Sequence, residues 1–486
     1  MNTFKKLRNV ALILMMGSVV MTSCNDDDEE VPNNGGNTSP TATLFTEGTD
    51  AATGMPSTSI VDRGEGIGTR TLTSDRVWVL DGFTFVNPGQ TVTVEPGTIL
   101  KGEGGQGAAA SALIVARGGR LVADGTATDP IIMTYEGDPL GNGAETTPIT
   151  QRGSWGGLIV LGNASLNSAP GETAIEGLPT NEPRGLYGAI NGSSDDDDDS
   201  GVYRYISIRH GGTDIGAGNE INGFTLGGVG RGTVVDYVEV VANVDDGVEW
   251  FGGTVDCKHL LVTGCGDDSY DYDEGWRGRV QYAVAVQDPA IGDRGGEHDG
   301  GTDPEIAEPF ATPVFFNATY VGRGIGAGNR LLTFRDNAGG EYHNSIFVNF
   351  DRGVDIEKLA SEQDSYKMFT DGFLALAGNI FYDVLNPGTS STGTDLFKVA
   401  GGNDAQNLNF SDSFATNGNQ VTDPGLSYAG ASLQEVADGL NLVPNTAANG
   451  GTAPTDAFFD NVNYRGAFAP GGTNWAQGWT KTFGDR

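Results

Sequence analysis

The chain is poor in cysteine, histidine and positive charge. Of its 486 residues three are Cys and four are His, and 28 Lys and Arg stand against 64 Asp and Glu. Each scarcity removes a class of protein. Three cysteines cannot staple a small disulfide scaffold. Four histidines, none in paired metal-ligand spacing, argue against a catalytic zinc site. A formal net charge of −36 repels nucleic acid and anionic membrane surfaces. Beyond the first apolar run, none is long enough for a membrane helix. There is no phosphate-binding glycine loop and no nucleophile–base arrangement. What the chain has in excess is glycine, 76 residues spread without a collagen period, which reads as many tight turns.

The first 24 residues have their own pattern. Lys5, Lys6 and Arg8 form a basic head, residues 10–21 are apolar, and Met21-Thr22-Ser23-Cys24 closes the segment. The run is short for a bilayer span and ends in small residues, as signal peptides do. It resembles a bacterial lipoprotein signal: residues 1–23 are cut away and Cys24 carries the lipid. The acidic run at residues 25–30 resembles the surface-export tag of Bacteroidota lipoproteins. The expected location is therefore the outer membrane, lipid-anchored, at the cell surface. The alternatives are an ordinary secretory signal with a chance cysteine, and an acidic spacer that is merely solvated. Cleavage removes three of the 28 basic residues, leaving 25 against 64 acidic ones and a net charge of −39. Such a charge suits multivalent cations, or simply solubility.

The remaining cysteines, Cys257 and Cys265, flank residues 258–263, which read as a strand. Six extended residues span roughly 20 Å, too far for a bridge unless the chain bends. Two buried free thiols are the expectation, ahead of a disulfide.

Residues 24–45 are acidic and then Asn-, Gly-, Pro- and Thr-rich, and read as a disordered tether. Residues 46–385 carry short apolar strands of one recurring shape. Tyr205-Ile206-Ser207-Ile208, Tyr237-Val238-Glu239-Val240, His259-Leu260-Leu261-Val262 and His343-Asn344-Ser345-Ile346-Phe347 are examples. One register repeats at 22 residues, laying Asp245-Asp246-Gly247-Val248-Glu249-Trp250 over Asp267-Asp268-Ser269-Tyr270-Asp271-Tyr272. Four-residue strands at that period predict an all-β parallel β-helix solenoid with loop insertions. The leucine spacing of leucine-rich repeats is absent, and a propeller needs longer blades. Residues 386–486 read as loop-rich C-terminal coils and a cap, with a short helix expected near 432–440. They end in aromatic clusters (Tyr464 to Phe468, Trp475 to Trp479) that read as a terminal cap.

The stretch from Leu113 to Thr126, continuing to Pro130-Ile131-Ile132, resembles the first coils of right-handed parallel β-helices of the pectate-lyase-like superfamily. Trp155-Gly156-Gly157-Leu158-Ile159-Val160-Leu161-Gly162 and Val354-Asp355-Ile356-Glu357 resemble an uncharacterised group of surface lipoproteins of Bacteroidota and spirochaetes. Its genes often stand near those of TonB-dependent receptors. The resemblance covers about residues 70–480 and implies a fold and a place, with no activity to carry over. It makes a TonB-dependent transporter, or that transporter's ligand, an expected partner. The expected function is ligand capture or transporter support rather than catalysis.

The 22-residue shift places Asp245 beside Asp267, Asp246 beside Asp268 and Glu249 beside Asp271, on rungs about 4.8 Å apart. Asp273 and Glu274 follow at once. Carboxylates this close raise one another's pKa unless something neutralises them. Calcium, which takes about six to eight oxygen ligands, suits these eight residues. Arg277 and Arg279 are alternative neutralisers, and outward, solvated acids need neither. The same residues resemble the acid–base face of polygalacturonase-type glycosidases, with Trp250, Tyr270, Tyr272 and Trp276 stacking sugars. Trp250, Tyr272, Trp276 and Arg277 are thus candidate ligand contacts for an extracellular glycan or metal ligand. That glycosidase group's later histidine motif is missing: His210 precedes the acids and His298 reads as part of an insertion. An inward aromatic stack explains Trp250 and Tyr272 equally well. The five aspartates at 195–199 read as a solvated loop.

Substitution of Cys24 by Ala is expected to shift the protein from the membrane fraction to the soluble fraction. Protease added to intact cells is expected to strip the wild type. Protection until the outer membrane is broken would place it on the periplasmic side instead.

Overall fold

The computed structural model describes residues 42–140, 146–216, 219–301, 304–361, 363–388 and 393–484. The signal segment, Cys24 and the tether up to residue 41 lie outside the described residues. The last tether residues do not stay loose: Leu44–Thr49 is a strand, paired antiparallel with Pro56–Val61 at the N-terminal end of the coils.

From Pro56 onwards the strands stack in parallel as an all-β solenoid with three faces. One face begins with Pro56–Val61, Val77–Leu80, Ile99–Gly102 and Ile131–Tyr135. A second begins with Arg70–Leu72, Thr91–Val94 and Arg120–Asp124. The long strands Gly201–Arg209, Val234–Val241, Cys257–Thr263 and Arg279–Val286 serve both, their first halves on the second face and their second halves on the first. The third face is a separate ten-stranded parallel sheet running from Phe83–Val86 to Phe397–Ala400. A coil therefore lies past residue 385, within the segment expected to hold the C-terminal coils.

The predicted register is the register of the third face. Val248 pairs with Tyr270, Glu249 with Asp271 and Trp250 with Tyr272. Following one position down this sheet gives Val248, Tyr270, Gly296, Leu332 and Val354, at intervals of 22, 26, 36 and 22 residues. Coil length varies because the loops between faces vary, while the strands keep step.

Alternation within each strand builds the core. Val160, Leu226, Trp250, Tyr272, His298, Phe334 and Ile356 form one inward row, each within 1 % of full burial. Trp276 stacks on Trp250 at 4.3 Å between centroids, and Tyr272 on His298 at 4.2 Å. Both thiols belong to this core as free cysteines.

The recurring strand shape marks the corner between the second and first faces. Tyr205, Tyr237, His259, Tyr282, Asn317 and Asn344 occupy successive corner positions, all with φ between +48° and +67°. A left-handed backbone is costly for a bulky side chain. Stacking offsets the cost. Tyr205 lies 4.3 Å from Tyr237, Tyr237 4.1 Å from His259, and His259 4.7 Å from Tyr282.

The C-terminal segment settles in two places. Helix Asp404–Thr416 packs Phe410 and Phe414 onto Phe397 of the last third-face strand. Its few apolar residues among Asn, Asp and Ser hid it from the sequence pattern. The aromatic tail, read as an end cap, instead runs back along the side of the coils. Trp475 and Trp479 meet the corner stack edge-on, at 5.0 Å from His259 and 5.4 Å from Tyr205. The reason is chemical: the stack offers outward aromatic faces that only an apolar strap can cover. The expected helix near 432–440 is Leu433–Gly439, capped by Ser432.

Trp479→Ala is expected to cost about 3–5 kcal/mol in urea unfolding, as deletion of a fully buried indole does. Limited proteolysis of this variant is expected to release the tail while the coils survive. A tail that stays protease-resistant would show that the corner stack does not hold it.

Candidate functional site

The acids face outward on the third face, directly beside its inward aromatic row. One outward row reads Ile114, Ile159, Thr225, Glu249, Asp271, Glu297, Thr333. Its apolar start is covered by the insertion at residues 162–200, whose Ile175, Leu178 and Tyr187 pack on Ile114 and Ile159. Glu176 of the same insertion comes down beside Glu249, and the Asn222 amide donates to both, at 2.9 Å to Glu176. Glu176 had no signal in the sequence, because only the folded insertion brings it there.

At the start of the strands a second row holds the coils together. The Asp246 N–H donates to Asn222 Oδ1 at 3.3 Å, Asp268 N–H to Asp246 Oδ1 at 2.8 Å, and Arg294 N–H to Asp268 Oδ1 at 2.5 Å. Asp246 and Asp268 therefore serve as rungs of a side-chain ladder, and they are 6 % and 1 % exposed. Asp268 is out of reach of a sugar in the glycosidase role.

Six of the eight acids chosen from sequence converge. Carboxylate oxygens of Asp245, Asp246 and Asp267 lie within 4.8 Å of one another, as do those of Asp246, Glu249 and Asp271. Glu297 extends the row, grouping with Asp268 and Asp271, and Asp293 groups with Asp267 and Asp268. Glu297 was legible as a third rung, had the 26-residue step been allowed. Asp273 and Glu274 do not join. Asp273 accepts from the Glu274 N–H, and Glu274 accepts from the Tyr187 hydroxyl at 2.6 Å.

The candidate ligand contacts are placed elsewhere. Trp250, Tyr272 and Trp276 are 0 % exposed inside the coils, so they stack one another and no ligand. Alternation along each strand puts Trp250 and Tyr272 on the opposite side from Glu249 and Asp271. Arg277 reaches away from the row to Asp196 and Ser165, at 2.6 and 2.5 Å. Residues 195–199 are solvated only in part: Asp195, Asp197 and Asp199 are exposed, while Asp196 anchors Arg277, and Asp199 pairs with Arg120 at 2.9 Å. Arg279 pairs with Asp256 and Asp456. Neutralisation of the row comes instead from Arg294, within 3.4 Å of Asp268 and 3.2 Å of Glu297, and from Arg335 on Glu297 at 2.8 Å. His298 lies in the core rather than in a loop, and burial holds it down to about 3.

These cations sit at one end. Among the described residues no Lys or Arg forms an ion pair with Glu176, Asp246, Glu249 or Asp271, and Asp271 Oδ1 is buried with no hydrogen-bond partner. Burial first, and neighbouring carboxylates second, push Asp246, Glu249 and Asp271 well above their ordinary range, and Asp245 to about 7. The arrangement can take up protons or a hard cation.

The family model of the pectate-lyase like beta helix domain matches residues 65–480. The chain belongs to this family. No curated protein and no solved structure gives a match. In this pectate-lyase-like β-helix, the acid row occupies the outer side of one face and the insertion 162–200 partly roofs it.

The row makes stability depend on pH in an unusual direction. Its carboxyls bind protons more tightly folded than unfolded, so protonation stabilises the fold below about pH 4. That contribution is lost as pH rises through about 7, where Asp245 titrates in the fold. In chelator, the melting temperature is expected to fall from about pH 5 to about pH 8, and Glu249→Gln should flatten the fall. A melting temperature that rises over this range would contradict the assignment.

Proposed function

We propose that this β-helix is a lipid-anchored surface module of the outer membrane. It captures an extracellular ligand, alone or beside a TonB-dependent transporter, and calcium in its acid row stiffens it. The observation that carries the reading is the state of Asp246, Glu249 and Asp271. Asp246 and Glu249 are buried and Asp271 is half-buried beside them on neighbouring coils, away from any paired cation among the described residues, with one carboxylate oxygen of Asp271 left bare. Oxygens within 4.8 Å of one another can ring an ion whose ligands stand about 2.3–2.6 Å away, as calcium's do. Magnesium, with ligands at about 2.0–2.1 Å, needs a tighter set. Binding is favoured over glycoside cleavage because Asp268 is spent on a coil-to-coil hydrogen bond and the aromatics that would hold sugar are core residues.

The alternative is a polysaccharide-acting enzyme on the same fold. Asp245 and Asp267, the least buried pair of the row, favour it most. A panel of uronic-acid and neutral glycans separates the two. No release of reducing ends is expected, and turnover lost in Asp267→Asn would replace capture by catalysis.

Calcium at a hundred times its dissociation constant is expected to stabilise the fold by about 2.7 kcal/mol. Chelator should lower the melting temperature, and Glu249→Gln with Asp271→Asn should abolish the response. Equal melting with and without chelator, and no calorimetric heat on adding calcium, would remove the ion from the proposal.

A further inference from the structure

A cavity of about 630 Å³ lies away from the acid row, where the C-terminal tail crosses the first face near residues 138–149. Its polar lining includes two cations of this acidic molecule. Arg209, the last residue of strand Gly201–Arg209, lines it, and so does Lys481 of the tail.

Arg209 is 1 % exposed, yet its guanidinium is largely unused. Nε donates to Ser207 Oγ at 2.7 Å, and Nη2 is buried without a partner. Lys481 Nζ donates to the Thr147 carbonyl at 2.9 Å. Among the described residues neither cation forms an ion pair.

Two carboxylates stand close enough to supply such pairs, but their oxygens are committed to neutral donors. Glu239 accepts from Ser207 Oγ at 2.5 Å, from the Lys481 and Thr482 N–H groups at 2.9 Å each, and from Thr482 Oγ1 at 2.8 Å. Asp138 accepts from Thr134 Oγ1 at 2.8 Å, Thr147 Oγ1 at 2.7 Å and the Leu140 N–H at 3.1 Å. Asp438, also on the wall, is exposed and accepts from Gln434 at 2.8 Å. His210 adds no positive charge, since burial holds it down to about 4.

A buried guanidinium with open donors is costly unless something completes its hydrogen bonds. The planar fork of Arg matches an oxyanion bidentately, and a Lys ammonium adds a point charge beside it. We infer that this cavity binds a small ligand through an oxyanion, a carboxylate or a phosphate group, held between Arg209 and Lys481. The cavity has the size of an ordinary small-molecule site. The Glu239 and Asp138 carboxylates act on both cations but form no ion pair with either, which leaves the guanidinium and ammonium donors to an anionic group. The inference stands apart from calcium and from surface anchoring, and a purified sample tests it without either.

The full chain, purified in detergent with chelator present, is titrated with inorganic phosphate and separately with acetate, at constant ionic strength. Calorimetry and the melting temperature are read together. One of the two anions is expected to bind and raise the melting temperature. Lys481→Gln, which keeps the backbone N–H that Glu239 needs, should weaken binding at least about tenfold. Arg209→Met should abolish binding if it folds, and if it does not, Lys481→Gln decides alone. Preference for phosphate marks a phosphate-bearing ligand, and preference for acetate a carboxylate. No binding of either anion up to the order of 10 mM, or binding unchanged in Lys481→Gln, would overturn the inference.

Discussion

Parallel pairing between successive coils is the constraint on which the remaining features depend. A single turn of this chain buries nothing by itself; its inward side chains are covered only by the turns above and below. Once Val248 is set beside Tyr270, Trp250 falls beside Tyr272 and Glu249 beside Asp271. The same step that builds the aromatic core therefore builds the acid row. One interaction is favourable and the other is not, and the backbone does not allow them to be separated.

The molecule resolves the acid side of that bargain in two ways. Some carboxylates become structure: Asp246 and Asp268 accept backbone N–H groups from the next coil, much as Asn222 does before them. Others receive guanidinium groups, but only where Arg294 and Arg335 reach, around Asp268 and Glu297. At Asp246, Glu249 and Asp271 neither solution is complete, and the roofing insertion adds Glu176 to the charge rather than relieving it. The row is thus neutralised at one end and left without a paired cation, among the described residues, at the other.

The C-terminal tail has the complementary role. It covers the corner where aromatic side chains sit on left-handed backbone, and it does so with Trp475 and Trp479. The same tail brings Lys481 to Arg209 and fastens itself through Glu239, a first-face residue with no exposure. Securing the tail thus consumes the carboxylate that would otherwise have paired with Arg209. The meeting of Arg209 and Lys481 at one cavity is a by-product of that fastening, in the sense that both follow from one set of hydrogen bonds.

Much of this was legible in the residues alone. The alternation of strands, the 22-residue repeat over residues 245–272 and the absence of any competing repeat signature determined a parallel solenoid, because period and strand length are local properties. The convergence of Asp245, Asp246, Glu249, Asp267, Asp268 and Asp271 followed from the same repeat. Only tertiary structure decided the rest. Trp250 and Tyr272 face inward, and Arg277 turns to Asp196 rather than to its acidic neighbours. Glu176 and Arg294 reach the row, and Lys481 meets Arg209 across 272 positions of chain. Coil lengths of 26 and 36 residues break the repeat, and insertions and tails carry no period at all. Their partners are chosen by the surfaces the finished coils present, and those surfaces do not exist until the coils have stacked.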